Sequence, residues 1–473
     1  MKHLKKALVL VLALAVMLAM STTVFAAPDM TTYRSSVTAT NIDNGNVLKL
    51  YKLADAVIGD NNVISYNWDS QLPAEYDSEE EINAANVQTL ADKLGAIYGG
   101  TDADYTSDAA AGNTVTIANV DPGWYFAIVS GTANTGVVYK NMLINTTPTV
   151  KGGNWQKTDV SVEVKKTTET ITKGVGGNPD HNAEVDTTDG YSVGDKVPYE
   201  IKTNIPNYPA DSKVATFVIT DSPTSLTDDY ANAVVTVAGD DETGTAKGSI
   251  SGKFTVAQAG DGFTITFDKD YILAHPGAAV TVNYEATIKD DAVIAADGKT
   301  AENTAKIKFN PNPHEDETVE PSDKTEDYTY GVNVYKYENG DKAKKLTGAK
   351  FILYKADGTT QAGAEKAVDA NGYVSWNGLE AGTYKLVETQ APSGYKLDST
   401  PKEVVISKDT AKGDDRVTNA TETNFIQVDV PNTPGTSLPS TGGIGTTLFY
   451  IIGGILVVGA AVLLIARRRL RAK

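Results

Sequence analysis

The stretches Gly262-Phe263-Thr264-Ile265-Thr266-Phe267 and Val280-Thr281-Val282-Asn283-Tyr284 place an apolar side chain at every second position. Successive side chains of a strand point to opposite faces, so this alternation describes strands with one buried face and one wet face. Val160, Val162 and Val164 repeat the pattern, and Asn44-Gly45, Asn339-Gly340 and Asn371-Gly372 are hairpin-turn dipeptides between such runs. The reading is all-β: immunoglobulin-like sandwiches in series. One segment departs from it. Between Ser78 and Tyr98, Val87, Leu90, Leu94 and Tyr98 fall at helical spacing, and Ser78 with Glu81 makes a capping box, which predicts one amphipathic helix in the first domain.

Working outward, both ends read as addresses. Lys2, Lys5 and Lys6 precede an apolar run from Ala7 to Met20 and the small-residue stretch Val24-Phe25-Ala26-Ala27, the order of a secretory signal peptide over residues 1–27. At the other end, Leu438-Pro439-Ser440-Thr441-Gly442 resembles the L-P-x-T-G sorting signal of sortase substrates. A mostly apolar run, residues 444–466, is long enough to cross a bilayer, and the basic tail 467–473 holds its far end in the cytoplasm. The resemblance implies that a sortase cuts between Thr441 and Gly442 and passes the threonyl acyl group to an amine. The body, residues 28–441, would then be exported and anchored to the wall of a Gram-positive cell.

The chain carries 42 basic and 60 acidic residues, a net charge of −18, with eight of the basic residues and no acid in the two ends. The body is therefore at 34 minus 60, or −26, which suits solubility and gives no electrostatic footprint for nucleic acid. Cysteine is absent, so a secreted body must gain its durability without disulfides. Two boundaries suggest themselves: the turn Lys151-Gly152-Gly153, and the proline- and acid-rich stretch from Asn310 to Asp327, which reads as a linker. They divide the body into domains at 28–155, 156–315 and 325–435.

In the last of these, Tyr384-Lys385-Leu386-Val387-Glu388-Thr389-Gln390-Ala391-Pro392-Ser393-Gly394-Tyr395 matches every defined position of Y-x-L-x-E-T-x-A-P-x-G-Y. That is the E-box of collagen-adhesin B-type (CnaB) domains in Gram-positive pilins. Val334-Tyr335-Lys336, Leu346 to Phe351 and Ile426 to Asn432 resemble the flanking strands, so the likeness covers nearly the whole third domain. It implies an intramolecular isopeptide bond between Lys336 and Asn432, with Glu388 as the assisting acid. Burial would favour a neutral, nucleophilic amine and a protonated Glu388 that polarises the Asn432 carbonyl.

The middle domain resembles the second domain of pilus shaft subunits (CnaA/CnaB-type) through Ile171-Thr172-Lys173, Ser192 to Glu200, Phe217 to Asp221 and Asn303 to Ile307. The likeness implies a Lys173–Asn303 bond assisted by Asp221, with Lys165, Lys166, Glu200 and Glu302 as rivals in type. The first domain lacks the glutamate of an E-box after Gly123-Trp124-Tyr125, which implies no such bond there and a core role for Trp124. Finally, Trp155 to Lys166 resembles the pilin motif W-x3-V-x-V-Y-P-K and points to Lys165 as the lysine that receives the next subunit's threonyl group. Glu163-Val164 stands where the motif has Tyr-Pro, which leaves Lys166 as the alternative.

Together these resemblances imply a SpaA-like backbone pilin. Its partners would be a pilus sortase, identical subunits head to tail, minor pilins, and peptidoglycan through the terminal subunit. A minor or basal pilin, or a monomeric wall-anchored adhesin, is the alternative. An enzyme acting on external substrates is not expected. His3, His181, His275 and His314 are scattered, and no catalytic triad order, H-E-x-x-H or phosphate loop is present. No cofactor or metal is expected: Asp102, Asp104 and Asp108, or Asp240 and Asp241, lack the EF-hand pattern.

Overall fold

The computed structural model describes residues 29–59, 63–72, 82, 85–131, 136–175, 191–245, 247–290, 292, 301–327, 329–407, 425–435 and 444–470. They fall into two compact units, one through Asp327 and one from Thr329 onward. The first unit holds the first and middle domains.

The first domain contains β1 (Ser35–Thr40), β2 (Val47–Ile58), α1 (Val87–Tyr98), β3 (Thr114–Val120), β4 (Gly123–Ser130), β5 (Val137–Tyr139), β6 (Val160–Glu163) and β7 (Lys166–Thr168). One sheet runs β6-β1-β3, and the facing sheet is built on the β2–β4 pair. Between them lie Val37, Leu48, Leu50, Val115, Ile117, Tyr125 and Ala127. The helix begins at Val87, with Asn86 in the capping position, and packs Leu90, Leu94 and Tyr98 on Tyr51, Phe126 and Ile128. The Ser78–Glu81 capping box lies outside the described residues. Trp124 is half-buried against this second cluster, so it belongs to the packing as expected.

Both expected boundaries move. Gly152 and Gly153, at φ of 60° and 81°, turn a hairpin that pairs Thr149–Lys151 with Asn154–Gln156. β6 then returns to lie parallel to β1, Val37 opposite Val160, and β7 pairs with β5. The first domain therefore runs past residue 155 and closes on β6. A composition-based boundary at the glycines cannot see this pairing, because its partner strand is more than a hundred positions upstream.

The middle domain follows, with β8 (Ile171–Val175), β9 (Lys196–Asn204), β10 (Phe217–Thr224), β11 (Leu226–Asp228), β12 (Gly262–Phe267), β13 (Ala279–Ile288), β14 (Ala301–Phe309) and β15 (Ser322–Asp327). One sheet is ordered β8-β9-β13-β11, and the facing one contains β12-β10-β14-β15. Val280, Val282, Tyr284, Ala286 and Ile288 form the inward row of β13, and Phe263, Ile265 and Phe267 that of β12. The stretch read as a linker is instead packed structure. Asn310, Asn312 and His314 are buried, and β15 closes the sheet beside β14. The middle domain therefore ends near 327 rather than 315. Between these limits the chain docks onto the first domain. Tyr139 N–H donates to Pro311 O at 3.1 Å, Asn312 Nδ2 to Val129 O at 3.0 Å, and Glu315 takes Lys49 at 2.5 Å and Ser130 Oγ at 2.6 Å. His314 meets Asn141 at 2.9 Å and presses its ring on α1, where a Cβ at Gly95 would lie 2.0 Å from Nε2; only glycine fits there.

The second unit is built from β16 (Tyr330–Glu338), β17 (Lys350–Lys355), β18 (Tyr373–Leu379), β19 (Gly382–Gln390) and β20 (Phe425–Asn432). β16 pairs antiparallel with β18 and parallel with β20, so first and last strands lie side by side. β17 and β19 pair in the facing sheet. Gly340 and Gly372, at φ of 91° and 90°, make the two turns that the Asn-Gly dipeptides predict. α2 (Ile444–Leu470) carries a 20-residue stretch, Phe449–Arg468, long and apolar enough to cross a membrane.

Candidate crosslinking and linkage sites

On β16 the inward row reads Val332, Val334, Lys336, so pleat geometry drives a lysine into an apolar core. Lys336 is fully buried, with its Nζ 5.4 Å from the Phe351 ring centroid. Parallel register places Asn432 of β20 opposite Glu338, two residues along, within reach of that amine. Lys336 Nζ donates to Asn432 Oδ1 and lies 3.0 Å from Glu388 Oε1. Asn432 Nδ2 donates to Glu388 Oε1 and Oε2 at 3.0 and 3.2 Å and to Lys396 O at 3.0 Å. Desolvation pulls the Lys336 pKa down, against the opposing pull of Glu388. All three residues named from sequence meet here. The difference lies in orientation: Glu388 sits on the amide nitrogen, held there as the Lys396 carbonyl fixes Nδ2, rather than on the carbonyl oxygen.

The middle-domain site is built by the same intrusion of polar residues into apolar rows. Lys173 lies between Ile171 and Val175, Asp221 follows Phe217 and Ile219, and Asn303 stands between Ala301 and Ala305. All are buried to within 1% exposure. Lys173 Nζ is 2.6 Å from Asp221 Oδ1, and Tyr284 Oη joins both, donating to Asp221 and accepting from Asn303 Nδ2 at 3.1 Å. Tyr199 and Tyr284 stack at 5.5 Å, their centroids 5.0 and 5.2 Å from Nζ. Burial, the largest cause, raises the Asp221 pKa despite the adjacent ammonium, and pushes the Tyr284 phenol well up. The rivals lie elsewhere: Glu200 pairs with Lys202, and Glu302 with Lys324. Sequence reading missed Tyr284 and a second acid, Asp228, also buried. Their signal was present, since each continues an inward row, Val280-x-Val282-x-Tyr284 and Leu226-x-Asp228.

The two candidate linkage lysines part company at the end of the first domain. Lys166 is half-buried and committed: its Nζ is 2.5 Å from Asp43 Oδ1 and 5.8 Å from the Tyr139 ring centroid. Tyr139 Oη donates to Asp43 at 2.5 Å and accepts from Asn46 Nδ2 at 3.1 Å. Lys165, one residue earlier, is exposed. Its backbone is held on both sides: Val164 O accepts from Asn41 Nδ2 at 2.8 Å, and Lys165 O accepts from Lys140 N–H at 2.9 Å. The result is a solvated amine on a fixed stem. Leu438, Pro439, Ser440, Thr441 and Gly442 lie outside the described residues.

Residues 331–421 match the SpaA family of prealbumin-like fold domains, and residues 193–313 match the Cna-B-like domain of Gram-positive pilin backbone subunit 2. Residues 430–469 match the LPXTG cell wall anchor motif. The trypsin-resistant surface T6 protein of Streptococcus pyogenes serotype M6 is 23% identical over 526 residues, 91% of this chain and 94% of that protein. A type 1 fimbrial subunit of Actinomyces viscosus is 30% identical over 125 residues, 26% of this chain and 22% of that protein. Among solved structures, the T6 backbone pilin of serotype M6 Streptococcus pyogenes has a TM-score of 0.65 at 19% identity, covering 85% of this chain and 98% of that one. The major pilin SpaD of Corynebacterium diphtheriae has a TM-score of 0.55 at 18% identity, covering 86% and 99%. These likenesses establish the fold. The class is thus a wall-anchored surface protein assembled from all-β pilin modules. Within it, two segments of the chain are similar to Gram-positive pilin domains, residues 193–313 to that of backbone subunit 2 and residues 331–421 to the SpaA domain.

Proposed function

We propose that this chain is the shaft subunit of a covalent pilus, linked from subunit to subunit through Thr441 and Lys165 and stiffened internally by Lys336–Asn432 and Lys173–Asn303 isopeptide bonds. The observation that carries the reading is the dry contact of Lys336 with Asn432 and Glu388, in the module next to the sorting signal. Glu388 takes a proton from the Lys336 ammonium, and the neutral amine attacks Asn432 Cγ. Glu388 then passes the proton to Nδ2 and the C–N bond breaks; the new amide nitrogen gives up its surplus proton through Glu388 to the departing ammonia, which leaves as ammonium. Proximity supplies much of the rate, since both reactants are held on neighbouring strands. No external substrate is turned over.

Between subunits the logic reverses. A sortase holds Thr441 as an acyl-enzyme, and the Lys165 amine of the next subunit attacks it, giving a head-to-tail contact that repeats without closing. Exposure of Lys165 and the engagement of Lys166 with Asp43 support Lys165 as the acceptor. The test is the high-molecular-weight ladder on denaturing gels of cells bearing the chain. Lys165→Ala is expected to abolish it and Lys166→Ala to leave it in place. A ladder that survives Lys165→Ala sinks the assignment; one that survives the double substitution sinks the shaft reading.

A further inference from the structure

The middle-domain site holds a second acid that the chemistry above leaves idle. Asp228 ends β11 and pairs opposite Ala286 of β13, on the row that carries Tyr284. Only 5% of it is exposed, and neither carboxyl oxygen has a hydrogen-bond partner among the described residues. The Asn303 amide interacts with both Asp221 and Asp228, while Asn303 Oδ1 is itself buried without a partner. Desolvation first, and then the Asp221 charge, push Asp228 up to about 8, so it carries a proton at neutral pH. A buried carboxyl whose nearest polar neighbour is the Asn303 amide, with no bond of good geometry to it, is costly to keep, which calls for a role. Asp221, by contrast, is held on Lys173 and Tyr284.

We propose that the middle-domain crosslink uses two carboxyls in opposite roles, with Asp228 donating the proton that lets the Asn303 nitrogen leave. The inference rests on the Lys173–Asn303 bond proposed above. Asp221 receives a proton from the Lys173 ammonium, and the freed amine attacks Asn303 Cγ. Asp228 gives its proton to Nδ2, the Cγ–Nδ2 bond breaks, and ammonia departs. The new amide nitrogen sheds its surplus proton to Asp228, and ammonia takes the one on Asp221. The sum is ammonium plus amide from ammonium plus carboxamide, so no co-reactant is required. Two buried carboxyls with separated proton affinities are the general means of running acid and base steps at one pH.

The test is peptide-level mass spectrometry of the full exported chain at a fixed time after synthesis, comparing wild type with Asp228→Asn. General acid catalysis is worth on the order of 100-fold or more, so Asp228→Asn is expected to carry less than about a tenth of the wild-type Lys173–Asn303 crosslink, with Lys336–Asn432 complete. A Lys173→Met chain supplies the folded, unlinked reference for circular dichroism and protease resistance. Support requires Asp228→Asn to match that reference in fold while lacking the bond. Crosslinking at the wild-type level overturns the proposal, as does an unfolded Asp228→Asn middle domain beside a folded Lys173→Met one. A wild-type chain without the Lys173–Asn303 bond instead defeats the crosslink reading itself.

Discussion

Lys336 and Lys165 show what surroundings do to one functional group. Lys336 sits fully buried in an apolar row, its pKa pulled down by burial, against a carboxamide and a carboxyl. Lys165 stands in water at the edge of a domain junction, one residue after the buried Val164 and one before the engaged Lys166. In the proposed chemistry, the dry amine reacts unaided with the neighbour that folding supplies, whereas the wet amine waits for an enzyme to bring an activated acyl group. Folding then completes the bonds inside a subunit, and a second protein controls the bonds between subunits.

The largest effect comes from removing the carboxyl at the dry site. Glu388→Ala should leave Lys336 and Asn432 unjoined and the middle-domain bond intact. The two residues are 96 positions apart. In the entropic model, closing a loop of about 100 residues is worth ~5 kcal/mol, which corresponds to a fall in melting temperature of roughly 20–40 °C for a domain of that size. Calorimetry reads this directly, and an unchanged transition with the bond absent would remove the mechanical rationale for the crosslink.

A smaller effect extends the contrast to a buried group that is not a lysine. Burial pulls the His314 pKa down to about 4, with the Lys213 charge adding to the effect. The unfolded chain binds a proton near pH 6.5 that the folded chain refuses, so this contribution is complete above pH 6.5 and lost as pH falls toward 4. The span corresponds to roughly 3 kcal/mol. The protection factors of α1 amides, taken relative to intrinsic exchange at each pH, should fall between pH 7 and pH 5 in the wild type, and His314→Gln should flatten that dependence. The smallest effect concerns the stem of Lys165. Asp43→Asn removes a partly exposed ion pair and should cost at most ~1 kcal/mol. It should also let Lys166 compete as an acceptor, visible as mixed linkage peptides; linkage confined to position 165 would show that the pair does not enforce the choice.

Much of this was legible in the sequence, for a physical reason. Strand periodicity is local, so the rows around Phe263 and Val280 announced sandwiches, and an unbroken E-box named Glu388 while the strands resembling its flanks named Lys336 and Asn432. The misreadings were non-local. Gly152-Gly153 looked like a domain break but turns a hairpin, because β6 finds its partner at Ser35–Thr40. Asn310 to Asp327 has the composition of a linker, yet Asn312 and His314 are buried against groups that only the folded first domain provides, and Asn310 against Tyr208 and Thr216 of the middle domain. Asp228 and Tyr284 escaped notice for a related reason: each looks like an ordinary strand residue until the opposite sheet puts Asn303 beside it.

The most direct measurement is the intact mass of the folded, exported chain, followed by peptide mapping. The expected mass lies below that of the sequence by two ammonias, with branched peptides joining Lys173 to Asn303 and Lys336 to Asn432. A full unmodified mass, with both lysines recovered as unlinked amines from protein that is folded, would contradict the crosslinked shaft.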